Sequence, residues 1–216
     1  MLKLEKGSIL IMTGDSVTDC DRTYDAVPAG WNSFGNGYVS LVNAALTGLA
    51  PESRIAVYNK GVSGNTIVDL KERWQRDVLD LHPDYVSVMI GINDVWRHFD
   101  SVMQPVLKVD KETYRRTYGE IVENTLPLVK GMWIMGPFMM VENKDYPMRV
   151  MVEKYAAIAR EIAESHGIPY IDTQERMDAF MEKLPAYMIS GDHVHPNLQG
   201  HMILVKAFLD AVDFEW

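Results

Sequence analysis

The sequence predicts a three-layer α/β/α sandwich around a central, mainly five-stranded parallel sheet. Three observations carry this expectation. Short apolar runs alternate with longer amphipathic ones from one end of the chain to the other. The short runs are apolar and β-branched at successive positions, as strands covered on both faces must be. The long runs repeat apolar residues at spacings of three and four, as in Leu70, Trp74, Val78 and Leu81. With 216 residues, 47% of them apolar, one domain over residues 1–216 has enough material for a core without disulfide or metal staples.

Taken in order, the first strand is expected over Ser8–Thr13, where an unbroken apolar run stops at Gly14. A helix follows over Gly37–Leu49, a strand over Arg54–Asn59 and a helix over Ile67–Leu81. The third strand, Tyr85–Ile90, ends at Gly91, and the next helix covers Lys111–Leu126. Strand Met132–Met135, helix Pro147–His166, strand Pro169–Asp172 and helices Gln174–Leu184 and Pro196–Val212 complete the alternation. No internal repeat or low-complexity segment interrupts it. In such open sheets ligands bind beyond the carboxyl ends of the strands, so functional residues are expected just after them.

Composition removes several classes of function. The formal charge of −9 and the lack of a Lys/Arg run argue against a nucleic-acid partner. A single cysteine, Cys20, allows no internal disulfide and suits a reducing, cytoplasmic setting. Met1–Lys6 alternates charged and apolar residues, and the apolar run after it is too short for a signal-peptide core. No segment is long and apolar enough to span a bilayer, so no membrane partner is expected.

Two constellations carry chemistry. Gly14-Asp15-Ser16 follows the first strand at once. A tight strand-to-helix turn lifts a serine Oγ above the sheet and turns backbone N–H groups to the same place. Taken alone, the tripeptide reads better as a helix cap. Near the other end stands Asp192-His193-Val194-His195-Pro196. A carboxylate three residues before an imidazole can bend back to accept its Nδ1–H, leaving Nε2 free to take a serine proton. Pro196 suits the first position of the last helix. Asp192 as a mere cap, and His193 as the base, are the alternatives. His193 is adjacent to Asp192 and poorly placed to pair with it. No further Cys or His lies at zinc spacing, so no metal or other cofactor is expected. His201 is assigned to packing or solvent, and Cys20 to packing.

Ester cleavage also needs donors for a developing oxyanion. Two loops at strand ends offer them: Asn59-Lys60-Gly61-Val62-Ser63-Gly64-Asn65-Thr66, and Gly91-Ile92-Asn93-Asp94. Their glycines permit close backbone approach, and Asn93 brings an amide N–H₂. Gly and Asn also dominate ordinary turns, so it is the pairing of two such loops on the binding side that counts. Asp94 is expected to brace the Asn93 loop.

These four blocks together, Gly14-Asp15-Ser16, Gly61–Thr66, Gly91–Asp94 and Asp192–Pro196, resemble the SGNH (GDSL) hydrolase superfamily. The resemblance implies a flavodoxin-like fold of that type. It also implies Ser16 as nucleophile and His195 as base, the imidazole that Asp192 is spaced to orient. The oxyanion hole it implies is built from the Ser16 and Gly64 backbone N–H groups and the Asn93 side chain. Val17 stands where the family name has Leu, a change that leaves the chemistry alone. Longer strings, Ile11–Cys20, Asn59–Leu70, Met89–Arg97, His195–Phe208 and Phe214-Glu215-Trp216, resemble one branch, the intracellular bacterial acetylxylan esterases that deacetylate xylo-oligosaccharides. Gly191 departs from that branch, whose members carry a large aromatic there. The chain lacks the Gly-x-Ser-x-Gly elbow of other hydrolases; Ser63, in Gly61-Val62-Ser63-Gly64-Asn65, fails that pattern at its last position and is a minor alternative nucleophile.

A small carbohydrate ester is thus the expected substrate. Asp15, Tyr24, Trp31, Trp96 and Arg97 are binding candidates, because aromatic faces suit sugar rings and an Arg suits hydroxyls; packing is the bland alternative for each aromatic. A lysophospholipase or thioesterase, or a non-catalytic carbohydrate-binding protein on the same fold, are the competing readings. Arg22, Lys144 and Arg149 have no assignable role. Self-association into a homo-oligomer is expected, with the Met135–Val141 region as the apolar surface. Activity should fall in acid, since a protonated imidazole cannot act as a base.

Overall fold

A computed structural model describes residues 3–27, 30–100 and 107–216. Met1, Leu2, Pro28 and Ala29 lie outside these residues. Five parallel strands, β1 (Ile9–Gly14), β2 (Ala56–Gly61), β3 (Tyr85–Met89), β4 (Gly131–Met135) and β5 (Tyr170–Ile171), form one sheet in the order β2-β1-β3-β4-β5. All four pairings are parallel. The chain leaves β1 toward one edge and returns to build the other from β3. The crevice between β1 and β3 is therefore the topological switch point, where this strand order places its ligands.

The strands are apolar on both faces because both are covered. In β4, Met132 and Ile134 join one core, while Trp133 and Met135 join the other. The first core packs against α3 (Ile67–Asp77), α4 (Ile92–Asp100), α5 (Lys111–Thr125) and α6 (Pro147–Ser165). The second packs against α2 (Tyr38–Leu49), α7 (Thr173–Met181) and α8 (Leu198–Ala211). The short α1 (Ser16–Asp19) sits directly at the end of β1. Among the described residues no helix is long and apolar enough to cross a membrane.

The structure departs from the sequence-based expectation in four places. The expected helix Ile67–Leu81 ends at Asp77; Val78 leaves the helical region (φ −123°, ψ −64°) and a separate 3₁₀ turn covers Leu79–Leu81. The last helix starts at Leu198, not Pro196. Asn197 caps it by accepting the Gly200 N–H at 3.2 Å, and Pro196 instead faces Ser190 across an isolated bridge. α4 replaces the expected Asn93 loop, and α1, expected only as a helix start, is a single turn. α1 is too short to show a period, whereas α4 carries Ile92, Val95, Trp96 and Phe99 at helical spacing. Finally, Met135–Val141 offers no surface for self-association: every residue from Met135 to Met140 is buried, and Val141 is half-buried.

Candidate active site

Ser16 lies where β1 turns into α1. Asp15 caps that helix, its carboxylate accepting the Val17 N–H at 3.0 Å, so the cap reading and the functional one coexist. Ser16 is the first helical residue, and its N–H has no partner within the helix. Gly14 is required by contact: a Cβ there would sit 2.0 Å from the Met89 carbonyl oxygen. Strands β1 and β3 approach so closely at this point that only a hydrogen fits.

The loop before α8 brings His195, the candidate base. His193 adopts φ +69°, and its backbone and ring bond the β4 loop through Met140, with Nδ1 2.9 Å from that carbonyl oxygen. This turn folds Asp192 back onto His195. Asp192 Oδ2 lies 2.6 Å from His195 Nδ1, and His195 Nε2 lies 2.9 Å from Ser16 Oγ. Asp192 Oδ1 accepts the Val194 and His195 backbone N–H groups at 3.0 and 2.8 Å. Burial pushes this carboxyl up, but the His195 side chain and the two N–H groups outweigh it and hold the group at about 2. It is a carboxylate at any ordinary pH. The Ser190 hydroxyl braces the turn from 3.2 Å to Asp192 Oδ1 and 2.9 Å to the His195 carbonyl oxygen.

The β2 loop is fastened to the nucleophile turn. Val62 N–H donates to the Gly14 carbonyl at 3.0 Å, and Gly64, at φ +82°, makes the turn that an L side chain would strain. Asn93, buried in the first turn of α4, donates its Nδ2 to the Asn65 carbonyl at 3.1 Å. Asp94 braces from below: both its oxygens accept the Ile67 N–H, at 3.0 and 3.2 Å, joining α4 to the start of α3. Burial raises Asp94 to about 7.

The remaining candidates separate. Ser63 is occupied elsewhere, its hydroxyl and N–H both donating to Asp19 Oδ2, and the imidazole is paired with Ser16. Trp96 lies against His195, ring centroids 5.8 Å apart. Arg97 donates Nη2 to Asn93 Oδ1 at 3.1 Å. Tyr24 stands beside the β2 loop, donating its hydroxyl to Asp19 at 2.7 Å with the Arg22 guanidinium over its ring. Trp31 is 96% exposed and projects into solvent. Asp15 is corrected as a binding candidate: it is buried beneath α1, and burial raises it to about 7 against the pull of the Val17 N–H. A side chain that caps from inside has no face left for a sugar.

His201 packs, accepting the Tyr38 N–H on Nδ1 and lying 3.4 Å from Cys20 Sγ; burial lowers it to about 4. Arg22 ties the nucleophile loop to the Gly61 carbonyl at 2.8 Å, and buried Arg149 joins Glu153, Asp178 and the Val141 carbonyl. Lys144 lies 3.7 Å from Asp178. Gly191 is exposed, with open space where a Cβ would stand. An open, polar cleft of about 590 Å³ between α6 and α7 holds none of the catalytic candidates.

Sequence reasoning missed Arg73. Only 8% exposed, it donates to the Gly14 carbonyl at 2.9 Å, the Lys60 carbonyl at 2.7 Å and Asn65 Oδ1 at 2.6 Å, and pairs with Asp77 at 3.2 Å. One guanidinium thus clasps the ends of β1 and β2 and the loop that meets Asn93. The only local sign is Asp77 four residues on; the Gly14 carbonyl stands 59 residues away and is met only once β1 and β2 have paired.

Comparison with known proteins accords with this geometry. Over its whole length the chain is 41% identical to an acetylxylan esterase of Geobacillus stearothermophilus, covering 98% of that protein. The crystal structure of that organism's acetylxylan esterase Axe2 superposes with a TM-score of 0.96 over 100% of this chain and 98% of that one. Catalytic mutants of Axe2 altered at a serine, an aspartate or a histidine superpose with TM-scores of 0.96, 0.96 and 0.94. LAE5, an α/β hydrolase enzyme from the metagenome of Lake Arreo, Spain, is 39% identical with a TM-score of 0.94 over 99% of both chains. Residues 12–203, which span every block at the switch point, match one family throughout; the chain belongs to the GDSL-like lipase/acylhydrolase family.

Proposed function

We propose that this protein is a serine esterase that removes O-acetyl groups from acetylated xylo-oligosaccharides or related small carbohydrates. The observation that carries the reading is the hydrogen-bonded line Ser16 Oγ–His195 Nε2–His195 Nδ1–Asp192 Oδ2, with steps of 2.9 and 2.6 Å across the ring. Asp192 holds the imidazole in the tautomer with hydrogen on Nδ1, so Nε2 accepts the Ser16 proton as Oγ attacks the acetyl carbonyl. The Ser16 and Gly64 N–H groups and Asn93 Nδ2 receive the resulting oxyanion. Collapse breaks the ester bond, and the proton on Nε2 passes to the departing sugar oxygen. Water then attacks the acetyl-Ser16 ester, again giving its proton to Nε2. The second collapse releases acetate and returns the proton to Ser16 Oγ.

The carbohydrate class is supported by the relatives' substrate and by Trp96 beside His195. Residues 1–216 act as one domain in this reading. The free Cys20 accords with a reducing, cytoplasmic compartment. Self-association into a homo-oligomer is part of this reading.

The test is acetate release from acetylated xylo-oligosaccharides by the wild type and by Ser16→Ala. The variant should lose up to about 10⁶-fold in turnover. Near-normal turnover would remove Ser16 from the chemistry. Ser16-dependent cleavage of p-nitrophenyl acetate without acetate from the sugar would keep the esterase and discard the carbohydrate. A preference for longer acyl chains would favour the lipase-like alternative.

A further inference from the structure

The Asn93 side chain is fixed at both ends of its amide. Nδ2 donates to the Asn65 carbonyl at 3.1 Å, and Oδ1 accepts from Arg97 Nη2 at 3.1 Å. A flipped amide would set Oδ1 against the Asn65 carbonyl and the N–H₂ against the guanidinium, losing both bonds and opposing like groups. One hydrogen of Nδ2 is spent on Asn65, which leaves the other for an incoming oxyanion. Arg97 is itself anchored by an ion pair with Asp100, and its guanidinium carbon lies 6.0 Å from the Trp96 ring centroid. Asn93, Arg97 and Asp100 fall at helical spacings of four and three, so they share one face of α4.

We propose that Arg97 is a positioning residue of the acyl-transfer step, orienting and polarising the Asn93 amide, rather than a ligand for the sugar. A charged donor on Oδ1 draws density from the amide and strengthens its N–H groups as donors. The guanidinium also brings positive charge close to the group that receives the oxyanion. The proposal rests on reading Asn93 as an oxyanion donor, and the experiment tests the two separately.

Arg97→Met and Arg97→Lys are made in the wild type and in Asn93→Ala. For each, kcat and KM are measured on p-nitrophenyl acetate, which has no sugar, and on an acetylated xylo-oligosaccharide. Asn93→Ala alone should lower kcat by about 10²- to 10³-fold; an unchanged kcat would refute the donor reading and Arg97's part in it. Arg97→Met should lower kcat about tenfold on both substrates, within the bound set by the donor itself, with KM steady to about twofold. Arg97→Lys, which keeps a charged donor on the same helix face, should recover part of the loss, and it also covers the case in which Arg97→Met fails to fold. In the Asn93→Ala background neither change should matter further. A loss confined to the sugar ester and carried by KM would overturn the proposal in favour of sugar binding. A loss that persists undiminished without the Asn93 amide, or no loss in kcat at all, would overturn it as well.

Discussion

Replacing Asp94 with Asn should flatten the dependence of stability on pH. Asp94 is fully buried between α4 and the start of α3, where it accepts the Ile67 N–H with both oxygens. Burial is the main cause that raises it from 3.8 to about 7, and the nearby Asp15 and Asp69 push the same way. Below about pH 4 folded and unfolded chains both carry this proton. As pH rises toward 7 the unfolded chain has released it while the folded chain keeps it, so stability falls across that window. Above about 7 both are ionised and the penalty is constant. At 1.36 kcal/mol per pH unit the full effect is ~4 kcal/mol, of which ~3 kcal/mol falls between about pH 5 and pH 8. Against a total of about 5–15 kcal/mol this is easily measured. Asn keeps one acceptor for the Ile67 N–H and has no proton to lose. Denaturant titrations of both proteins at about pH 5 and pH 8 should therefore show the wild type losing more stability on going alkaline. Asp15 contributes a slope of the same sign to both proteins, and the difference between them reports Asp94 together with its repulsion of Asp15. Parallel pH curves would refute the reasoning.

Asp192→Asn should lower kcat on a simple acetate ester by about 10⁴-fold, since the amide favours the wrong imidazole tautomer; a loss under tenfold would remove Asp192 as the orienting acid. Arg73→Met should destabilise the fold by about 3 kcal/mol in denaturant titration, because buried carbonyls of Gly14 and Lys60 lose a charged donor while Asp77 keeps Arg76. A change within the experimental scatter would show that water replaces the guanidinium.

Much of the architecture was legible along the chain because it depends on local periodicity. Strands buried on both faces read as unbroken apolar runs, and each of the five was found to within two residues at either end. The long helices α2, α5 and α6 were equally legible. The hydrogen-bonded grouping of Ser16, His195 and Asp192 was legible because each stands beside a local sign: a strand end, or a carboxylate three residues from an imidazole. The fine edges were not. Whether α8 began at Pro196 or Leu198 depended on the bridge to Ser190, a contact made only once the loop had folded.

Residue types, spacing and the order of elements along the chain were determined by the sequence by itself, and so was the end of the strands at which the site must lie. Only the tertiary structure decided how that chemistry is held. Ser63 is disqualified by Asp19 of another loop, Asp15 by burial beneath α1, and Met135–Val141 by the core that covers it. The same is true of Arg73, which joins two strand ends, and of the Asn65 carbonyl that meets Asn93 from 28 residues away. A hydrogen bond between distant residues leaves no period in the sequence. It exists only after the sheet has brought its strand ends together, and at that crevice the direction of an amide or the charge of a carboxyl is set by neighbours the chain meets last.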